Sequence, residues 1–87
     1  MKVKKDFIVR RVMDDVILVP VGSSDSKFNG LITTNELGAF IWKRITKGDD
    51  TDEIVKAILN EYDTNEQQAR SDVEEFVATL RKNGIIE

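Results

Sequence analysis

The sequence predicts an α+β fold in which a small antiparallel sheet packs on three helices. Two observations carry that prediction. Up to residue 21 the apolar residues are largely β-branched and gather in two short runs, "FIVRRV" and "VILVPV", on either side of "MDD". From residue 37 onward they recur every three or four positions, behind three successive capping signals. A small sheet has an apolar face to cover, and three amphipathic helices can cover it.

Residues 7–12 and 16–21 are the first two strands, and the polar step at Asp14 and Asp15 makes them a hairpin. Pro20 has no N–H for a ladder and belongs near an edge or a strand end. "GSSDSKFNG" reads as a loop. It imitates part of a phosphate loop, but no GKS or GKT ending follows, so phosphate binding is set aside. Residues 31–33 are expected to form a short third strand.

The first helix has three rival caps. Thr33 and Glu36 have capping-box spacing, and Thr34 and Asn35 compete with them. Leu37, Phe40, Ile41 and Ile45 then share one face. Gly38 costs about 1 kcal/mol against alanine inside a helix. Close packing against the sheet is the expected reason for it, and room for a bound partner is the alternative. Asp50 and Glu53 cap the second helix, whose face is Ile54, Val55, Ile58, Leu59 and Tyr62. Thr64 and Gln67 cap the third, lined by Ala69, Val73, Phe76, Val77 and Leu80. Asn83 and Gly84 stop it, and Ile85 and Ile86 fold back onto the helices.

With 87 residues, 40% hydrophobic and 33% charged, the chain is expected to be one ordered domain with a modest core. No apolar run approaches the roughly 20 residues that span a membrane. "MKVKKDFIVRR" lacks a long apolar segment and reads as mature protein. The absence of cysteine fits a cytoplasmic location. Charge is unevenly spread: residues 1–20 carry five basic and three acidic side chains, residues 49–87 four basic and eleven acidic. The acidic half repels a phosphate backbone and suits a basic or amphipathic peptide, or a basic patch on a protein.

Catalysis finds no support. Histidine and cysteine are both absent, which removes the usual neutral-pH base, the thiol nucleophile and the common zinc ligands. Asp49, Asp50, Asp52 and Glu53 lack calcium-loop spacing and are explained as helix caps. Asp72, Glu74 and Glu75 read as a solvated face. A winged-helix DNA reader would place Gln67, Gln68 and Arg70 at the bases, but Glu66, Asp72, Glu74 and Glu75 on the same helix oppose it. No cofactor is expected.

Three stretches, "FIVRRVMDDVILVPVG", "FNGLITTNELGAFIWKRI" and "DEIVKAILNEYDTNEQQARSDVEEFVATLRKNGIIE", carry a resemblance over nearly the whole chain. The most telling phrase joins Asn35 and Glu36, small residues, then Ile41 and Trp42. The chain resembles the pyrroloquinoline-quinone biosynthesis protein D (PqqD) family, the fold of the recognition elements for ribosomally made, modified peptides. The resemblance implies a β-β-β-α-α-α order, a truncated winged helix. It implies a peptide chaperone without catalysis that binds a precursor's leader as an added strand beside the third strand, in the groove toward helix three. The partner it implies is a peptide-modifying enzyme, often a radical S-adenosylmethionine enzyme, with the iron–sulfur clusters and S-adenosylmethionine on that partner.

An edge strand offers unpaired N–H and C=O groups to such a ligand. Gly30, Leu31, Ile32 and Thr33 are the expected docking edge. Val73, Val77 and Leu80 are candidates for apolar grip, with the core as their competing place. Arg70, Arg81 and Lys82 are candidates to pair with leader carboxylates, with solvation as the alternative. Phe76 and Ile41 are assigned to the core, and Trp42 to packing at the sheet edge, with an enzyme contact as its rival role. A protein–protein adaptor without peptide binding is the second functional reading. The chain is expected to be a monomer, or a homodimer that hides the same edge.

Overall fold

In the computed structural model, which describes residues 1–4, 6–21 and 32–87, the hairpin is formed by β1 (Phe7–Val12) and β2 (Asp15–Pro20). The expected loop at residues 22–30 and the site candidates Gly30 and Leu31 lie outside the described residues. Val12 pairs with Asp15, so the turn is Met13 and Asp14, and Met13 takes the positive φ of 57° that the tight reversal needs. The second strand therefore starts one residue earlier than expected. Asp15 has low strand propensity, but at a turn its backbone alone completes the ladder. β3 (Ile32–Thr34) pairs antiparallel with β2, giving the order β1-β2-β3.

The register sorts the side chains onto two faces. Phe7 and Val9, Val16 and Leu18, and Ile32 and Thr34 share the face that meets the helices, where Val16 and Leu18 are fully buried. Ile8, Val12, Ile17, Val19 and Thr33 share the other face, where Ile8 and Val12 are exposed.

Three helices follow: α1 (Glu36–Thr46), α2 (Thr51–Glu61) and α3 (Glu66–Lys82). The Asp50–Glu53 capping box forms as expected, with both bonds at 2.8 Å. In α1 the cap is Asn35, whose Oδ1 accepts from Gly38 N at 2.9 Å. Thr33 and Thr34 are still paired with β2, so the chain first leaves the strand at Asn35. In α3 the cap is Asn65, one residue after the expected Thr64, and asparagine is the better acceptor at this position.

Two helices end alike. Gly48 N bonds Ile45 O and Asp49 N bonds Arg44 O; Gly84 N bonds Arg81 O and Ile85 N bonds Leu80 O. These are Schellman turns, with Gly48 and Gly84 at φ 93° and 72°. The first is braced by the Arg44–Asp49 ion pair at 2.6 Å. The second turns Ile85 and Ile86 into the core, as expected. Lys4 N then bonds Ile85 O and Glu87 N bonds Lys2 O, a pairing of the two ends that the sequence did not signal.

The core joins Leu18 of the sheet to Ile41, Trp42 and Ile45 of α1, Ile54, Val55 and Ile58 of α2, and Ala69, Val73, Val77 and Leu80 of α3. Trp42 is buried and meets Phe7 edge-on at 5.5 Å between ring centroids, which bears out its place at the sheet. Leu59 and Tyr62 are partly exposed; Tyr62 packs edge-on against Phe40.

Gly38 is where α1 comes closest to β3. A Cβ there would overlap Thr34 Oγ1 and lie 2.9 Å from both Thr34 Cβ and Cγ2. Rotating the hydroxyl alone does not relieve this. Gly38→Ala is therefore expected to destabilise the fold by roughly 1 kcal/mol, because overpacking of about 1–3 kcal/mol exceeds the propensity gain of about 1 kcal/mol. Thr34→Ala in the same chain removes Oγ1 and Cγ2 but keeps Cβ, and should recover part of the loss in urea unfolding. An additive double mutant would contradict the contact.

Candidate functional site

Among the described residues β3 is the last strand of the sheet, so alternate residues along it direct N–H and C=O away from β2. Beside that edge lies an open groove of about 300 Å3 between β3, the start of α1 and one face of α3. Ile32, Thr33 and Thr34 line it from the strand, and Leu37, Gly38 and Ile41 from α1. Asp72, Glu75, Phe76 and Thr79 line it from α3. Those four α3 positions have the i, i+3, i+4, i+7 spacing of one helical stripe.

The structure brings only part of the sequence-derived site together. Ile32 and Thr33 stand at the groove. Val73 and Leu80 are 0% exposed and Val77 is 7% exposed, so these three form the core behind the groove wall. They occupy the neighbouring stripe of α3, about one residue's rotation from the groove. Arg70 is not among the lining residues either. Its Nη1 donates to Asp52 Oδ1 at 2.9 Å and its Nη2 reaches Glu66 Oε2 at 3.5 Å, so it ties α3 to α2. The bond to Asp52 is the main reason its pKa is raised, against the opposing effect of desolvation. Arg81 Nε donates to Glu87 O at 3.1 Å, and Lys82 is exposed outside the groove. Ile41 is core, as expected, and also touches the groove. Phe76 departs from its core assignment: it is half-buried, packed on the core with part of its ring side toward the groove.

Sequence reasoning missed Thr34, Asn35, Leu37, Ile41, Asp72, Glu75, Phe76 and Thr79 as lining residues, and gave room for a partner at Gly38 only as the alternative. The available signal was Phe76 at the border of the apolar stripe, with polar residues at helical spacing around it.

On the other side of α1 lies a second hollow, of about 470 Å3, lined by Phe7, Val9, Phe40, Trp42 and Tyr62 among others. Arg11 and Glu36 sit at it as a bidentate pair, Nε–Oε2 2.7 Å and Nη2–Oε1 3.0 Å. The hydrogen bond from Arg11 holds the Glu36 carboxyl below its usual value. Among the described residues no group of three or more His, Cys, Asp or Glu side chains is placed to hold a metal ion, and no helix is long and apolar enough to cross a membrane.

The family model for coenzyme PQQ synthesis protein D (PqqD) matches residues 15–86. The chain belongs to the PqqD family. No curated protein matches it. Among solved structures, the PqqD-family chain is similar to TbiB1, determined in complex with the TbiA(beta) leader peptide. The TM-score is 0.76 and the identity 23%, over 100% of this chain and 95% of that one. It is also similar to a lasso peptide synthetase B1 complexed with the leader peptide, with TM-score 0.74 and 19% identity over 99% and 95% of the two chains. At those identities the likeness establishes the shared fold.

Proposed function

We propose that this PqqD-family chain is a non-catalytic module that binds the leader of a ribosomally made precursor peptide and presents it to a modifying enzyme. The observation that carries this reading is the juxtaposition of a terminal strand, β3, with the groove toward α3. A peptide added beside β3 gains main-chain hydrogen bonds, and its alternate side chains reach the groove for specificity. Both solved relatives named above were determined with a leader peptide bound, which supports the same reading.

Ile32 and Thr33 offer the backbone edge in this proposal. Phe76, with Ile41 and Leu37, supplies the apolar floor. Val73, Val77 and Leu80 act from behind by holding α3 at the right distance, and Arg70, Arg81 and Lys82 stay outside the contact. A radical S-adenosylmethionine enzyme is the class of partner that the family resemblance implies, and it would bring its own cofactors. A DNA duplex is a poor competitor, because Glu66, Asp72, Glu74 and Glu75 all lie on α3. The free module is a monomer, or a dimer through the same edge.

The test is a nitrogen–proton NMR titration with leader segments encoded near the gene, and a short DNA duplex as control. Shifts of the Ile32, Thr33 and Thr34 amides and of the 72–79 face on peptide addition are expected. A flat response to every leader overturns the reading and leaves a protein adaptor ahead. Shifts with DNA alone would return the fold to a winged-helix reader.

A further inference from the structure

The groove beside β3 has a sign. Asp72 and Glu75 line its α3 wall, and among the described residues every other lining side chain is uncharged. Neither carboxylate takes part in an ion pair among the described residues. Asp72 Oδ1 accepts a hydrogen bond at 2.9 Å from Gln68 Nε2, which is neutral. The nearest cation on the same helix in sequence, Arg70, is engaged with Asp52 and Glu66 instead. Among the described residues the wall therefore keeps an uncompensated negative potential next to the apolar Phe76 and Ile41.

Geometry turns that potential into a pattern. Residues three apart on a helix are neighbours, so Asp72 and Glu75 present their carboxylates on one stripe, within reach of a single cationic side chain. A strand laid beside β3 turns every second side chain to the same side, at roughly 7 Å intervals. Two alternate positions of one ligand can thus meet the apolar floor and the acidic wall.

We propose that the groove selects extended peptides in which an apolar side chain and a Lys or Arg occupy alternate positions on one side. The inference rests on the strand-addition reading and adds the chemistry of the ligand. The apolar residue seats against Phe76 and Ile41, and the cation is held between Asp72 and Glu75. A ligand with Asp or Glu at the second position meets like charge and is disfavoured.

A displayed library of random twelve-residue peptides, selected on the intact protein, separates the possibilities. The expected result is a consensus with an apolar residue two positions from Lys or Arg. Lys and Arg should exceed Asp and Glu there by roughly threefold to tenfold, as for part-exposed ion pairs, and less at high salt. Asp72→Asn combined with Glu75→Gln keeps shape and should abolish the charge preference while keeping the apolar one. Asp72→Asn combined with Glu75→Lys, which leaves a net positive wall, should reverse it. Enrichment that ignores charge, or that survives the double substitution, overturns this inference and leaves strand addition standing. Absence of any enriched peptide overturns both.

Discussion

Leu80→Ala is expected to lower the unfolding free energy by about 2–5 kcal/mol, the range for a fully buried leucine that leaves a cavity. Leu80 is 0% exposed, and its carbonyl accepts the Ile85 N–H that turns the chain back into the core. The truncation therefore empties a site shared by α3 and the returning end. Against a total stability of about 5–15 kcal/mol for a domain, that loss is large. Urea unfolding checks it. Peptide affinity, measured where the variant is still folded, should change much less than stability. A variant with wild-type stability and lost affinity would place Leu80 in the groove and contradict the core assignment.

Thr79→Trp has the opposite signature. Thr79 is exposed on the groove face of α3, and its Oγ1 donates to Glu75 O at 3.1 Å. A substitution at such a surface site changes stability by about 0.5 kcal/mol or less. An indole placed there fills much of a groove of about 300 Å3. Leader affinity should fall by at least about tenfold, or about 1.4 kcal/mol, with the melting curve nearly unchanged. Undiminished binding by a folded Thr79→Trp protein would move the site elsewhere. Together the two variants separate the buried stripe of α3 from the stripe beside it.

That separation also marks where the sequence stopped being informative. The hairpin was legible from its β-branched runs, and the Asp50–Glu53 cap from its spacing. Apolar periodicity identified Val73, Val77 and Leu80 as one helical stripe, and burial bears out that grouping. Periodicity reports which stripe is apolar, and a mixed stripe such as Asp72, Glu75, Phe76 and Thr79 reads as solvated surface until β3 is seen opposite it. The boundary errors have local causes. Thr34 stays in the sheet through its pairing with Val16, which hands the cap of α1 to Asn35. Asn65 displaces Thr64 because both offer an acceptor and the better one caps the helix. The bonds from Lys4 to Ile85 and from Glu87 to Lys2 join opposite ends of the chain, and a local pattern carries no signal for them.

The two hollows flank α1 with different chemistry. One adjoins a strand edge and an acidic wall; the other is aromatic, with the Arg11–Glu36 pair beside it.

The most direct test of strand addition is an isotope-filtered NOE measurement on the protein bound to its leader segment. The account predicts backbone-to-backbone contacts between the peptide and β3 that alternate along Ile32, Thr33 and Thr34, with peptide side-chain contacts to Phe76. A peptide whose contacts run to Phe40 and Tyr62, with none to the β3 backbone, would contradict it.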